Sequence, residues 1–198
     1  MKDETASISA ILLAAGESKR LGAPKLLLNL GGKTILEHSI DNLLNSKVGE
    51  VIVVLGDSAD ELLPKINQRT IKVMENSLCR QGMSTSIIAG LCLIDRRARA
   101  VMLALADQPL IPPAVIDRLI EAYESGGRGI AVPVHRSRRG HPVIFSIKYK
   151  EELLKLTGDV GGREILDRYP EDLLEVEVDS ESVFTDIDTM EDYKSIGA

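Results

Sequence analysis

The chain has 198 residues, a hydrophobic content of 44% and a formal net charge of −6. This length supports a hydrophobic core, and we predict one domain over residues 1–198. The acidic balance argues against nucleic acid as a partner held by bulk electrostatics, and the strand-sized apolar runs predict no membrane span.

Strand-like and helix-like segments alternate along the chain. Apolar runs predict strands at 8–15, 50–56, 70–74, 100–106, 129–134 and 142–146, and the alternating residues 174–178 predict a half-exposed or edge strand. Apolar residues at helical spacing predict helices at 34–44, 59–66, 84–94 and 112–123. The predicted fold class is α/β: a single-domain, Rossmann-like three-layer α/β/α sandwich with a mostly parallel sheet. Residues 134–142 predict an antiparallel hairpin, or flap, with Gly140 in its turn.

The loop after the first predicted strand has the composition of a phosphate site. It begins at Gly16 and continues with hydroxyl, glycine and cationic residues, namely Ser18, Lys19, Arg20, Gly22 and Lys25. Glycines let a backbone approach a ligand closely, and cations suit a polyanion. The spacing matches neither a Walker A loop nor the dinucleotide fingerprint, which argues against a P-loop kinase and a typical NAD-binding domain. The alternative is a solvated basic turn after a core strand.

Asp107 directly follows the apolar run at 100–106. In a parallel sheet this residue would lie at the same edge as the Gly16 loop. Because Mg²⁺ takes one or two carboxylates together with phosphate oxygens and water, Asp107 is predicted to be a magnesium ligand. The alternative is that Asp107 caps the helix beginning near Pro112.

Two glycine-containing segments have a structural and a functional interpretation. Residues 81–86 predict a helix N-cap, with a contact to a nucleobase as the alternative. Residues 158–163 predict either a second anion or substrate loop or a turn before a helix, in which Asp159 is a local cap.

Two charged segments also have both a functional and a structural interpretation. Residues 138–142 place cations and His141 in the flap, and the alternative is a solvated turn. Residues 184–188 carry Asp186 and Asp188 on one face if the segment is extended, which makes a second metal ligand plausible. The alternative is a cap for the last helix at Asp188 or Thr189.

The two cysteines, Cys79 and Cys92, fit neither a C-x-x-C motif nor a zinc-site spacing. We expect them to be buried or inert thiols in a reducing cytoplasm.

In this order, the segments resemble the MobA-like nucleotidyltransferases. The family signature L-A-A-G-x-S-x-R-x-G-x-x-K occurs here as Leu13-Ala-Ala-Gly16, Ser18, Arg20, Gly22 and Lys25. Later blocks resemble the subgroup that contains molybdenum cofactor cytidylyltransferase, and they lie at 82–86, 106–109, 140–142, 158–162 and 186–189. The Leu-Ala-Ala-Gly form favours this subgroup over the guanylyl one, which usually has Leu-Ala-Gly-Gly. The chain departs from the subgroup at Gln108, where Met is frequent, and at Met190, where Pro is usual.

The resemblance implies a fold like that of the nucleotide-diphospho-sugar transferases. It also implies Mg²⁺-dependent transfer of CMP from CTP to the phosphate of the molybdopterin or molybdenum cofactor, with release of pyrophosphate. The product would be molybdopterin cytosine dinucleotide. A molybdoenzyme or its chaperone is a further candidate partner, and a cytoplasmic location is expected.

The resemblance also implies residue roles. Those implied for nucleotide binding are Leu13, Ala14, Ala15, Gly16, Arg20, Lys25, Gly82, Met83, Ser84 and Asp107. Lys25, Arg20 and Asp107 would be catalytic, and Asp107 would bind Mg²⁺ together with Asp186 or Asp188. His141, Asp159 and Arg163 would face the acceptor.

Two alternatives to this function stay open. One is a related nucleotidyltransferase that uses GTP or another NTP with a different phosphate acceptor. The other is a non-catalytic protein that binds the molybdenum cofactor. The presence of Asp107, Asp186 and Asp188 favours an enzyme over a binding protein.

Overall fold

The computed structural model describes residues 8–16 and 24–197. Numbered in chain order, its strands are β1 Ile8–Ala14, β2 Asn29–Leu30, β3 Lys33–Thr34, β4 Glu50–Leu55, β5 Lys72–Glu75, β6 Ala100–Leu105, β7 Ile130–His135, β8 Arg138–Arg139, β9 Val143–Ser146 and β10 Leu173–Glu177. Its helices are α1 Ile35–Leu44, α2 Ala59–Ile66, α3 Met83–Leu91, α4 Pro113–Gly126, α5 Lys150–Leu154, α6 Arg163–Arg168 and α7 Met190–Ser195. The seven predicted strands and four predicted helices are all confirmed, with bounds that differ by a few residues at the ends.

One sheet organises the fold, with the strand order β10-β7-β9-β6-β1-β4-β5. Neighbouring strands run parallel except at β9, which is antiparallel to both β6 and β7. The short β8 adds an antiparallel pair to β7, and β2 and β3 form a separate hairpin. The prediction of a mostly parallel sheet with an antiparallel hairpin is confirmed. The alternating strand β10 lies at an edge, as predicted.

The sheet is buried on both sides. In β1, Leu12 belongs to a core cluster that includes α1, α2 and α4, whereas its neighbour Ile11 belongs to a second cluster that includes α3, α5 and α6. Successive side chains of a strand point to opposite faces, so a strand covered on both faces is expected to be apolar at nearly every position. This burial explains the continuous apolar runs and confirms the three-layer arrangement.

The ends of two helices are set by local interactions of the residues beside them. Thr34 caps α1 through a capping box with Glu37, in which the Thr34 side chain accepts from the Glu37 backbone. Helix α4 runs three residues beyond the predicted end and stops at Gly127, which has a left-handed conformation with φ of +64°. Within the described residues, no helix combines the length and the apolar character that crossing a bilayer requires.

The predicted flap is present, but the prediction that Gly140 forms its turn is wrong. The turn is made by Arg136 and Ser137, whose φ angles are +51° and +63°. Gly140 instead ends the hairpin where it passes the segment at 181–184. A Cβ at residue 140 would lie 2.3 Å from the carbonyl oxygen of Val183, so the missing side chain allows this close approach.

Helix α3 packs closely on β1 through Gly90, and this contact can be tested. A Cβ at residue 90 would lie 2.5 Å from Ile11 Cγ2. We expect Gly90→Ala to lower the free energy of unfolding by about 1–3 kcal/mol, because overpacking a core outweighs the higher helix propensity of alanine. Urea denaturation measures this change. The control Glu124→Ala, at an exposed position of α4, should stay within about 0.5 kcal/mol of the wild type. Equal stability of Gly90→Ala and the wild type would contradict the close packing.

Candidate functional site

A cavity of about 600 Å³ opens at the carboxyl ends of β1 and β6. These strands are parallel neighbours, so the segments that follow them come together at one edge of the sheet. The predicted site residues that line the cavity are Leu13, Ala14, Ala15, Gly16, Lys25, Gly82, Met83, Asp107, Asp159 and Asp188. Residues far apart in sequence therefore share one pocket, at the position where α/β folds place ligands. Ser18, Lys19, Arg20 and Gly22 lie outside the described residues.

Lys25 lies at the centre of the acidic part of this cavity. Its Nζ is 2.7 Å from Asp107 Oδ2 and 2.8 Å from Asp188 Oδ1. The Lys25 side chain is only 11% exposed, so the solvent screens these ion pairs less than it would at an open surface. Burial alone would lower the pKa of Lys25, but the charges and hydrogen bonds of Asp107 and Asp188 outweigh it and raise the pKa. The amine is therefore an ammonium ion at neutral pH.

Asp107 does not act as a helix cap. The N-cap position of α4 belongs to Pro112, and no side chain caps it. The alternative interpretation of Asp107 is therefore wrong. Its Oδ2 accepts from Lys25, while its Oδ1 is buried and has no hydrogen-bond partner among the described residues. A buried carboxylate oxygen of this kind lacks compensation for its lost hydration.

Asp186 and Asp188 have different surroundings, although they are two residues apart. Asp188 faces Lys25, whereas Asp186 Oδ1 accepts a 2.5 Å hydrogen bond from Gln108 Nε2. Burial raises the pKa of Asp186, and repulsion from Asp107 and Asp188 adds to the rise, although Gln108 and Lys25 oppose it. The last helix, α7, is capped by Thr189 with Asp192, so the capping interpretation holds for Thr189.

The loop at 158–162 caps the start of α3. The backbone N–H of Met83 donates to Asp159 Oδ1 at 3.3 Å, and that of Ser84 donates to the Gly158 carbonyl at 3.2 Å. Gly82 has a φ of +113°, and a Cβ there would lie 2.2 Å from the Gly158 carbonyl carbon. Glycine is therefore required at residue 82, since both its conformation and its surroundings exclude a side chain.

This contact changes two expectations. Asp159 is a cap, but for a helix that precedes it by more than seventy residues, so the prediction of a local cap is wrong. It also brings a predicted acceptor residue next to the predicted nucleobase segment. Ser84 is buried at the start of α3 and does not line the cavity, whereas Met83 is 37% exposed and does.

His141 and Arg163 are not among the described residues that line the cavity. His141 is partly buried, and its backbone N–H donates to the Val183 carbonyl at 2.7 Å. Burial lowers the pKa of His141, and the nearby charge of Asp107 opposes this only in part. The His141 ring is therefore neutral at pH 7, and it lies close enough to Asp107 for an electrostatic interaction with that carboxylate. Arg163 is exposed at the first position of α6.

Among the residues that line the cavity, sequence reasoning missed the polar residues Cys79 and Arg80, which directly precede the segment at 81–86. Cys79 is partly exposed and Cys92 is exposed, so of the two expected alternatives, buried or inert thiols, the buried one is wrong. The Cys79 thiol donates to Asp57 Oδ1 at 3.5 Å, and Arg80 Nε donates to Asp57 Oδ2 at 2.8 Å. The position of these residues directly before the turn at Gly82 is the signal that could have identified them.

The carboxylates at this end of the cavity fit a divalent cation that arrives with phosphates. No group of three or more Asp, Glu, His or Cys side chains within residues 8–16 and 24–197 could enclose a metal ion. Mg²⁺ needs only one or two carboxylates when phosphate oxygens and water complete its coordination. The unpartnered Asp107 Oδ1 and the neighbouring Asp188 suit this incomplete shell.

Known proteins resemble this chain in sequence and in fold. Residues 10–173 match the MobA-like NTP transferase domain. The chain belongs to this family of nucleotidyltransferases. It is therefore an enzyme of the class that transfers a nucleoside monophosphate group.

Three relatives illustrate the range of named activities. Nicotine blue oxidoreductase of Paenarthrobacter nicotinovorans is 30% identical over 193 residues, which is 93% of each chain. Molybdenum cofactor cytidylyltransferase of Escherichia coli is 28% identical over 191 residues, which is 94% of each chain. A probable molybdenum cofactor guanylyltransferase of Methanosarcina mazei is 32% identical over 155 residues, covering 74% of this chain and 67% of that one.

Solved structures show the same fold. Rv0371c of Mycobacterium tuberculosis H37Rv superposes with a TM-score of 0.87 at 30% identity, covering 96% of this chain and 97% of that one. A complex of Rv0371c with manganese superposes with a TM-score of 0.83 at 28% identity, covering 96% and 98%. A divalent cation is thus found with a protein of this fold.

The raised pKa of Asp186 predicts an effect on stability. Its ionised form is less favourable in the folded protein than in the unfolded chain, so Asp186→Asn should raise the free energy of unfolding at pH 7. The asparagine Oδ1 keeps an acceptor for Gln108. The gain should be present above the raised folded-state pKa and should vanish as the pH falls below the ordinary value of 3.8, because both states are then protonated.

Urea denaturation at several pH values measures this difference. The matched control is Asp167→Asn at an exposed position of α6, which should show no such gain. Destabilisation by Asp186→Asn at pH 7 would mean that the charge of Asp186 supports the fold.

Proposed function

We propose that this protein transfers CMP from CTP to the phosphate of the molybdopterin or molybdenum cofactor, forming molybdopterin cytosine dinucleotide and pyrophosphate. The observation that carries the proposal is the position of the Lys25 ammonium between Asp107 and Asp188, beside the backbone at Ala14–Gly16. A cation and carboxylates at the carboxyl edge of the sheet suit a metal-bound triphosphate. The Escherichia coli cytidylyltransferase supports the choice of substrates, since it matches nearly the whole chain.

The reaction is an in-line displacement at the α-phosphorus of the nucleotide. An oxygen of the acceptor phosphate supplies the electron pair for the new P–O bond, and the bond to the bridging oxygen of pyrophosphate breaks. The acceptor phosphate is already ionised at neutral pH, so the reaction needs no strong general base. Catalysis then depends on positioning the two phosphates and on stabilising the charge of the transition state.

In this proposal, different described residues bind the phosphates and hold the metal ion. Lys25 lies where its ammonium can contact phosphate oxygens, and the backbone of Ala14–Gly16 borders the same space. Asp107 and Asp188 would hold Mg²⁺, which when bound neutralises charge on the phosphates. Arg20, outside the described residues, is proposed to bind the triphosphate with Lys25. Asp186, held by Gln108, is the less suitable of the two predicted second ligands.

The base and the acceptor are proposed to bind at neighbouring positions around the start of α3. Gly82 and Met83 border the cavity where the base would lie. Ser84, the next residue, is buried behind this turn. Asp159 packs against Met83 and faces the acceptor together with His141 and Arg163 in this proposal. A molybdoenzyme or its chaperone would receive the product, and the reducing cytoplasm is the proposed location.

A second candidate is the transfer of GMP from GTP, or of another nucleotide, by the same site. The Methanosarcina mazei relative favours it, because a probable guanylyltransferase matches two thirds or more of both chains. In this proposal, transfer to a phosphate would use the Lys25–Asp107–Asp188 arrangement, whereas the redox chemistry in the name of the Paenarthrobacter relative would not need it.

A nucleotide panel distinguishes CTP from GTP. Thermal unfolding with CTP, GTP, UTP or ATP, each with Mg²⁺, should show the largest stabilisation with CTP, since a ligand at 100 times its Kd adds about 2.7 kcal/mol. Incubation of each NTP with Mg²⁺ and the molybdenum cofactor, followed by mass spectrometry, should then detect the cytosine dinucleotide. A guanosine dinucleotide instead would favour the second candidate, and no dinucleotide would contradict both.

Substitutions in the proposed site test its chemistry. Lys25→Ala and Asp107→Ala should each lower kcat by a factor on the order of 10²–10³, as the loss of one preorganised charge does. Pyrophosphate release with CTP and the acceptor measures this. The control Lys33→Ala removes an equal charge from the β2–β3 hairpin, where Lys33 pairs with Asp41, and should leave kcat unchanged. Full activity in both site variants would contradict the assignment.

A further inference from the structure

We propose that Lys25 and a divalent cation compete for the same two carboxylates, those of Asp107 and Asp188, so that the cation binds tightly only when nucleotide phosphates draw Lys25 away. The inference rests on the proposed function in one respect, namely that the site takes a metal-bound nucleotide. It concerns the order in which the site is filled, and its test needs neither an acceptor nor turnover.

The geometry makes joint occupancy unfavourable. Lys25 Nζ lies within 2.8 Å of one oxygen of Asp107 and one oxygen of Asp188. Because Mg²⁺–oxygen distances are about 2.0–2.1 Å, a cation on either oxygen would lie within about 5 Å of the ammonium. Two positive charges at this separation repel each other, and the low exposure of Lys25 limits solvent screening.

A third carboxylate offers the cation no equivalent alternative. Asp186 Oδ1 is held by Gln108 Nε2, and Gln108 itself is buried with 3% exposure. The backbone N–H of Ile187 also donates to the Asp107 carbonyl at 3.0 Å, which ties the segment at 186–188 to the end of β6. The carboxylates best placed for a cation are therefore the two that Lys25 contacts.

Nucleotide phosphates would remove the conflict. Their oxygens are partners for both the ammonium and the cation, so Lys25 can leave the carboxylates without losing charge compensation. Phosphate binding then raises the affinity for the cation, and by linkage the cation raises the affinity for the nucleotide by the same factor. The cation is thus expected to enter with the nucleotide rather than before it.

Manganese binding to the protein without nucleotide tests the competition directly. Electron paramagnetic resonance of Mn²⁺ would measure its Kd for the wild type and for Lys25→Met. The variant removes the competitor but keeps Asp107 and Asp188. In the variant the cation no longer has to displace the charge-assisted hydrogen bonds of Lys25, so we expect the Kd for Mn²⁺ to fall about tenfold. An unchanged or larger Kd in a folded Lys25→Met protein would overturn the proposal.

Matched variants identify the cause of the change. Lys33→Met also removes one positive charge, but from the ion pair between Lys33 in β3 and Asp41 in α1, and should leave the Mn²⁺ affinity unchanged. Equal tightening in Lys33→Met would show that only the net charge matters and would overturn the proposal. Asp107→Asn in the Lys25→Met background should weaken Mn²⁺ binding again, because it removes a carboxylate of the site.

The wild-type protein offers a second measurement, which does not depend on how Lys25→Met folds. The ¹⁵Nζ resonance of Lys25, assigned by comparison with a Lys25→Arg protein, should shift as Mg²⁺ saturates the site in the absence of nucleotide. A resonance that stays unchanged at saturation would overturn the competition. Tighter Mn²⁺ binding by Lys25→Met together with no transfer of any nucleotide by the wild type would instead contradict the proposed function alone.

Discussion

The ion pairs of Lys25 are the interaction on which the candidate site depends. One ammonium joins the end of β6, through Asp107, to the segment before α7, through Asp188. These groups come from three distant parts of the chain, and they meet at the Lys25 ammonium. Their mutual attraction therefore sets the position of the acidic wall of the cavity and gives the site its local charge balance.

The sheet supplies the constraint that brings these groups together. Parallel strands β1 and β6 deliver the backbone at Ala14–Gly16 and the Asp107 carboxylate to one edge. The antiparallel strand β9 lies between β6 and β7, and it places the flap and His141 at the same side of the molecule as Asp107. Burial on both faces holds the strands in register, because a slip by one residue would exchange the side chains of the two cores.

The opposite wall depends on the contact between α3 and the loop at 158–162. The free N–H groups of a helix start need acceptors, and here Gly158 and Asp159 provide them. Gly82 permits this contact because it has no side chain. One hydrogen-bonded junction thus serves the stability of α3 and also shapes the part of the cavity proposed for the base and the acceptor.

Much of the secondary structure followed from sequence, because continuous apolar runs and helical spacing are local signals. The strand at 8–15 was predicted from its continuous apolar run, and the helix at 34–44 was predicted from the helical spacing of its apolar residues. The sequence also placed Gly16 and Asp107 at strand ends and so predicted a site between them. Local patterns could not show that Gly140 approaches Val183 rather than forming the turn, since that contact crosses more than forty residues.

What the sequence by itself determined was the order of elements, the family and the set of charged residues available for chemistry. The tertiary structure decided which of them meet: Lys25 with Asp107 and Asp188, Gln108 with Asp186, and Asp159 with the start of α3. It also brought Cys79 and Arg80 to the cavity. The physical reason is that strand order and loop packing set long-range contacts, and neither is encoded in the spacing of neighbouring residues.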